Sequence, residues 1–455
     1  MRLRYRPEPS KYTSAVWAQR VASIDELILA RCLRAEPGFA WLDSNRSEAR
    51  DGRYSFLGAW PSDEIRVAFG ADAPFSAMCR ASEPVKEVNL EGPKPCEVPA
   101  WIGYIAYDAF WSAPVRGRPR FDRHRDPIIL FMRYPALLAI DHLNGDTWVI
   151  GNDRSACDAF LNRLQGLRAG GPSTASVGPI EVDDASEHRN AIRKAIDYIA
   201  KGEVYEVNVA RRWSAAFQGD ALDLWQGMRS ASRVPLGMFL DGGDHAVLAC
   251  TMERFIHWDA ESKALVTRPI KGTIRRETLD DGASQRLRAD PKEQAEHSMI
   301  VDLMRNDLGR VAEIGTVRVD APLVVEPFTG LYHLVSTVSC TTRPEVTIES
   351  ILEATFPPGS VTGAPKIRAL EIIEELEKHP RGIYCGALGF VDHDGGLSLA
   401  VAIRTATVGR GRVCYWAGGG IVDASDPARE VAETELKARV FLDAVASLEG
   451  GSFSE

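Results

Sequence analysis

Pro269-Ile-Lys-Gly-Thr-Ile-Arg-Arg276 places one lysine, Lys271, directly before a glycine. Taken alone, the lysine reads as a surface side chain beside a glycine turn. What it does depends on the groups that the rest of the chain brings to it.

The chain has 455 residues, of which 45% are hydrophobic and 26% charged. That is enough to bury a large core in two or three domain-sized units, and it excludes low-complexity disorder. A formal net charge of -9 gives no basic field for a nucleic-acid backbone, and Lys and Arg are dispersed rather than gathered in runs. A small ligand or a protein partner is expected instead. The basic start, Met1 to Pro9, leads into no apolar segment, and no stretch approaches the roughly 18 apolar residues of a membrane span. The expected location is the cytoplasm. Eight cysteines (Cys32, Cys79, Cys96, Cys157, Cys250, Cys340, Cys385 and Cys414) lie far apart without a C-x-x-C pair, which predicts reduced thiols packed as small hydrophobes.

Residues 1–165 read as a strand-rich region, with short apolar and aromatic runs such as Phe39–Asp43, Gly52–Gly58 and Trp101–Asp108 broken by Gly, Pro and Asp. A Gly-, Ser- and Pro-rich linker follows over 166–180, and 181–450 reads as the second, larger unit. There Ser186 is placed to cap a helix with apolar positions at Ile192, Ile196 and Ile199, and Val204–Ala210 alternates like a strand. Further helices are predicted over Pro291–Asn306, Ala364–Lys378 and Pro427–Leu448. Strands are predicted over Val319–Val325, Gly386–Val391, Leu397–Val408 and Val413–Ala417. Hairpin-like strands mixed with separate helices indicate an α+β architecture.

Two of the predicted helices carry glutamates three residues apart, Glu293 with Glu296 and Glu430 with Glu433. Each pair shares one helix face, where like charges repel unless they are solvated or meet a cation. The spacing alone leaves both readings open, and it does not show that the two helices meet.

Glu293-Gln-Ala-Glu-His-Ser-Met-Ile-Val-Asp-Leu-Met-Arg-Asn-Asp-Leu-Gly-Arg310 resembles, almost without gaps, the Glu-His-x-Met-x-Val-Asp-Leu-x-Arg-Asn-Asp signature of the chorismate-utilising enzymes. The Lys271 run is similar to that family's Pro-Ile-x-Gly-Thr segment. Phe356–Lys366 is similar to its Gly-Ala-Pro-Lys loop, and Tyr415–Ile421 carries a Gly-Gly-Gly run. The resemblance covers the chain from about Ser186 to the C-terminus. It is weaker over Leu42–Asn45 and Gly52–Gly58, the region where relatives hold tryptophan. Asp43 departs from the Leu-Leu-Glu-Ser pattern there, so no inhibitor residues are carried over.

The resemblance implies large antiparallel sheets packed as a sandwich with helices outside. It also implies Mg²⁺ held by Glu296 and Glu433, with Glu293 and Glu430 supporting them, against the ring carboxylate of chorismate. Thr273, Ser360 and Gly363, with the backbone of Gly418, Gly419 and Gly420, would approach the substrate. Tyr384 and Arg404 would hold the enolpyruvyl carboxylate, and Lys437 would join the anion site or pair along its helix. His333 would lie near the departing C4 hydroxyl, with Glu253 as its general acid.

Within the family, isochorismate and salicylate synthases are similar to one another in placing a water-activating lysine where this chain has Glu206. Anthranilate synthases usually carry alanine where this chain has Lys271. Lysine at that position is typical of aminodeoxychorismate synthase component I, which implies that Lys271 adds at C2 before ammonia attacks C4. That role needs a neutral amine and therefore a lowered pKa. No Gly-x-Cys-x-Gly elbow with a following His-x-Glu is present, so a separate glutamine amidotransferase subunit is expected to supply ammonia. Anthranilate synthase component I and a non-catalytic ligand-binding subunit remain as alternatives.

Overall fold

The computed structural model describes residues 16–44, 52–82, 97–112, 126–168, 175–275, 282–328 and 331–450. Met1 to Pro9, Asn45, Cys96, positions 169–174 of the linker, Arg276 and Gly330 lie outside the described residues. Two antiparallel sheets form the frame, one of thirteen strands and one of ten. Strands from before and after the linker share both: Ala40–Asp43 pairs with Leu236–Asp241 in the larger sheet, and Pro99–Ile105 pairs with Ala387–Asp392 in the smaller.

The main core joins the two sheets. Met238, Leu240 and Val247 of the larger sheet belong to the same buried cluster as Ile102, Leu130 and Leu388 of the smaller one. That cluster also takes in Ile300 and Met304 of the helix Pro291–Gly309, and Ile351 and Leu352 of Ile348–Thr355. A second cluster packs the helices Glu26–Leu33, Arg154–Gln165, Ala221–Ala231 and Pro427–Gly450 onto the larger sheet through Leu33, Phe160, Trp225 and Phe441. Trp225 meets Trp41 edge-on at 4.9 Å, and Phe441 stacks on Tyr415 at 5.0 Å. The α+β sandwich with outer helices is thus as expected.

Several boundaries differ from the expected ones for local reasons. The cap of helix Ala185–Ala200 is Asp184, whose carboxylate accepts from the backbone N–H groups of Ser186 and Glu187. Leu397–Val408 is two strands, Leu397–Val401 and Thr405–Gly409, because Arg404 takes a left-handed backbone with φ 52°. The strand Arg412–Ile421 runs through its three glycines instead of ending at them, since each pairs across to Asn208, Val209 or Ala210. The seven described cysteines are free thiols. Among the described residues no helix is long and apolar enough to cross a membrane.

One buried ion pair ties the segments that later line the site. Arg381 donates from Nη2 to Glu377 Oε1 (2.6 Å) and to Asn208 O (2.9 Å), and from Nη1 to Val361 O (3.0 Å). Glu377 Oε1 in turn accepts from Ala210 N at 2.9 Å. The guanidinium also lies 4.8 Å from the ring centroid of Tyr107 and 5.7 Å from that of Tyr384. Replacing one partner strands the other charge in the interior, so Arg381→Met should lower the unfolding free energy by about 3–5 kcal/mol, read from urea denaturation.

Candidate active site

Lys271 sits on the strand Ile270–Arg275 at the edge of the ten-stranded sheet, and Glu206 begins the strand Glu206–Gln218 of the thirteen-stranded sheet. Their side chains meet between the sheets, with Nζ 2.6 Å from Oε1. Lys271 is therefore not a surface lysine. Gly420, diagonal to Glu206 on the neighbouring strand, makes the meeting possible: a Cβ there would stand 2.2 Å from Glu206 Oε1 and 2.9 Å from Lys271 Nζ. Gly272 answers a second need. It forms a bulge with φ 75°, and a Cβ on it would lie 2.8 Å from Glu293 Oε2.

The two carboxylate-bearing helices begin alike, with an aspartate side chain capping and a proline next. Asp290 accepts from Lys292 and Glu293 N–H groups, and Asp426 from those of Ala428 and Arg429. The leading glutamate of each pair, Glu293 and Glu430, thus sits in the first turn, where a helix end favours negative charge. Charges on the two helices also come within electrostatic range of one another, which their sequences left open. Burial raises the Glu293 carboxyl above its ordinary range, as do the neighbouring charge of Glu296 and, across the gap, that of Glu433. Burial likewise raises Glu296 and Glu430, whereas Lys437 pulls Glu433 below the usual range. Lys437 pairs along its helix with Glu433 Oε1 at 2.6 Å and also donates to the carbonyl of Gly418 at 2.8 Å.

This excess of half-buried carboxylates is a hard-oxygen donor set of the kind that fits Mg²⁺. Among the described residues, the trio whose ligand atoms lie within 4.8 Å of one another is a different one, Asp126, Asp244 and His245. Its groups are already engaged: His245 with Tyr104 and Asp244, and Asp126 with Arg410.

Glu253 is buried, and desolvation pushes its carboxyl up to about 7 against the opposing pull of a hydrogen bond from Ser360 and the charge of Lys271. His333 pairs in register with Thr273, and its Nδ1 lies 2.9 Å from Thr273 Oγ1 and 3.3 Å from Gly272 O. Gly363 pairs with Val207 beside the Glu206 carbonyl. Tyr384 stacks on Trp416 of the glycine strand at 5.9 Å. Arg404 spends an Nη1 donor on the backbone carbonyl of Lys437 (2.8 Å), in contact with Tyr415.

The expectation of a lowered Lys271 pKa is overturned. Burial does oppose its charge, but Glu206, followed by Glu253 and Glu296, outweighs that, and the ammonium is held above the ordinary lysine range.

Residues 39–443 match the family described as chorismate binding enzyme. The anthranilate synthase component 1 of Thermus thermophilus is 34% identical over 422 residues, 88% of this chain and 91% of that protein. The chain belongs to this family. The aminodeoxychorismate synthase component 1 of Klebsiella aerogenes is 43% identical over 251 residues, which span 54% of this chain and only 55% of that protein. The solved anthranilate synthase component I of Streptococcus pneumoniae TIGR4 superimposes with a TM-score of 0.73 at 28% identity, covering 87% of this chain and 93% of that one.

Segments carrying Glu206, Lys271, Glu253, Ser360, the glutamate pairs and Gly418–Gly420 come together here from both sheets and two helices. Sequence reading treated Glu206 only as the absence of a lysine and missed it as the partner of Lys271. The signal was present in Glu206-Val-Asn-Val-Ala210, which puts Glu206 and Asn208 on one face of a strand whose other face is valine. Asp43, a departure from the Leu-Leu-Glu-Ser pattern in the sequence, accepts from the buried Arg229 through Nε (2.9 Å) and Nη2 (3.0 Å).

Because Glu206 stabilises the ammonium, Glu206→Gln should let Lys271 lose its proton at lower pH than in the unaltered chain. The check is the pH at which Lys271 becomes half-labelled by an amine-reactive reagent, followed by peptide mass spectrometry. An unchanged midpoint would show that the carboxylate does not control the amine.

Proposed function

We propose that this enzyme is an aminodeoxychorismate synthase component I, which converts chorismate and ammonia to 4-amino-4-deoxychorismate for p-aminobenzoate and folate synthesis in the cytoplasm. The observation that carries the reading is the position of Lys271 Nζ, buried between the sheets within the fields of Glu206, Glu253 and Glu296. An alanine there, as in anthranilate synthases, would leave no nucleophile on the protein.

In this reading Lys271 passes its ammonium proton to Glu206, and its amine adds at C2 of chorismate. The ring double bonds shift, and the C4 hydroxyl departs as water with a proton from Glu253, a role suited to a carboxyl that burial keeps protonated to about pH 7. Ammonia then attacks C4, the bond from C2 to Nζ breaks, and the enolpyruvyl group is retained. Tyr384 and Arg404 hold the enolpyruvyl carboxylate, while Thr273, His333 and Ser360 border the reacting ring. Mg²⁺ bound by Glu296 and Glu433, with Glu293 and Glu430 behind them, would neutralise and orient the ring carboxylate. The ammonia source is a separate glutamine amidotransferase subunit.

A second reading, anthranilate synthase component I, is favoured by one observation, the much wider coverage by the Thermus thermophilus relative. The two part at the products. Chorismate, Mg²⁺ and an ammonium salt should yield aminodeoxychorismate without pyruvate by mass spectrometry; anthranilate plus pyruvate, or isochorismate, would overturn the proposal. Lys271→Ala should reduce turnover by about 100-fold or more.

Glu253 must carry its proton to act, and that form prevails below about pH 7 and is lost above it. Turnover should therefore fall on the alkaline side as Glu253 ionises. Glu253→Gln should lower kcat by about 10²–10⁴-fold and remove that limb of the pH profile.

A further inference from the structure

Two buried side-chain oxygens on the strand that carries Glu206 have no hydrogen-bond partner, Glu206 Oε2 and Asn208 Oδ1. Glu206 is 2% exposed and Asn208 7%. Unpaired buried acceptors are costly and uncommon, so two on adjacent residues of one strand face need a reason. They share that face because residues two apart on a strand point the same way.

The face is the one laid over the glycine strand. A Cβ on Gly420 would meet Glu206 Oε1 at 2.2 Å, and one on Gly418 would meet Asn208 Oδ1 at 2.9 Å. Neither oxygen can swing away freely. The strand is pinned by Asn208 N donating to Thr362 O (2.8 Å) and Asn208 O accepting from Arg381 Nη2 (2.9 Å), while Oε1 of Glu206 is fixed on Lys271.

The chemistry of this corner is selective. A carboxylate oxygen beside an amide oxygen repels an anion. A metal cation is opposed by the Lys271 ammonium, 2.6 Å from the other oxygen of the same carboxylate. What remains is a small neutral molecule carrying at least two N–H or O–H donors.

We infer that Glu206 Oε2 and Asn208 Oδ1 form the subsite that holds the attacking ammonia. Two N–H groups bond the two oxygens, and the nitrogen lone pair is left free to point at the ring. The inference rests on the amination reading above and adds to it the place from which the nucleophile comes. As the nitrogen bonds to C4, the bond from C2 to Nζ breaks and Lys271 leaves as a neutral amine from its secondary-ammonium adduct. Glu206, which took the Lys271 proton at the start, returns it and restores the resting ion pair, while the new C4 ammonium gives one proton to Glu253 and renews the acid spent on the C4 hydroxyl. Water can make the same two bonds, so dependence on ammonium concentration is the discriminating readout.

The test uses the full chain with Mg²⁺, saturating chorismate and varied ammonium chloride. Asn208→Leu should raise the KM for ammonium by roughly tenfold while the KM for chorismate moves by less than about twofold. Asn208→Asp, which restores an acceptor, should recover most of that loss, and Asn208→Ala gives the same readout as leucine if leucine does not fit. An unmoved ammonium KM, or an equal rise in both constants, overturns the subsite. The same assay reports the product separately: anthranilate with the ammonium effect keeps the subsite and removes the C4 amination reading, whereas aminodeoxychorismate without the effect does the reverse.

Discussion

The ion pair between Lys271 and Glu206 joins the two sheets at the place where a substrate would lie. Such a pair survives burial only if its geometry is close and its surroundings make room for it. Room comes from Gly420, whose missing side chain leaves the space that the two charged groups fill, and from Gly272, whose bulge admits Glu293. Lys271, the glutamate beside it and the glycines around them are thus one packing solution, and altering any of them alters the others.

Around this pair the site is dominated by negative charge. Glu253, Glu293, Glu296 and Glu430 are all shifted toward the protonated form by burial, and only Glu433 has a cation close enough to reverse that. The arrangement serves two opposite demands of the proposed chemistry. It keeps Glu253 available as an acid near neutral pH, and it keeps Lys271 charged until something takes its proton. Glu206 is the neighbour best placed to do so, and the same carboxylate offers its second oxygen to the incoming nucleophile.

The frame beneath is rigid in a way that suits this task. Arg381 links the strand of Glu206, the loop of Ser360 and the ring of Tyr384 through one buried guanidinium, so three segments share a single anchor. The helices that carry the glutamate pairs are fixed by similar means, each capped by an aspartate and packed on its own sheet through residues such as Met304 and Phe441. The two glutamate pairs come within electrostatic range of each other from helices mounted on different sheets.

Much of this was legible in the chain. The α+β class followed from alternating runs such as Val204–Ala210 and from helical periodicity over Ile192–Ile199. The glutamate spacing put each pair on one helix face, and the motifs around Lys271, Glu296 and Arg404 pointed to one family. Those are local properties, set by side-chain period, capping chemistry and residue identity. The direction of the Lys271 pKa, the partnership with Glu206, the run of the strand through Gly418–Gly420 and the left-handed turn at Arg404 were not legible. Each depends on groups far apart in sequence, 65 residues in the case of Glu206 and Lys271, and on a contest between burial and neighbouring charge that only their distances in the folded chain decide.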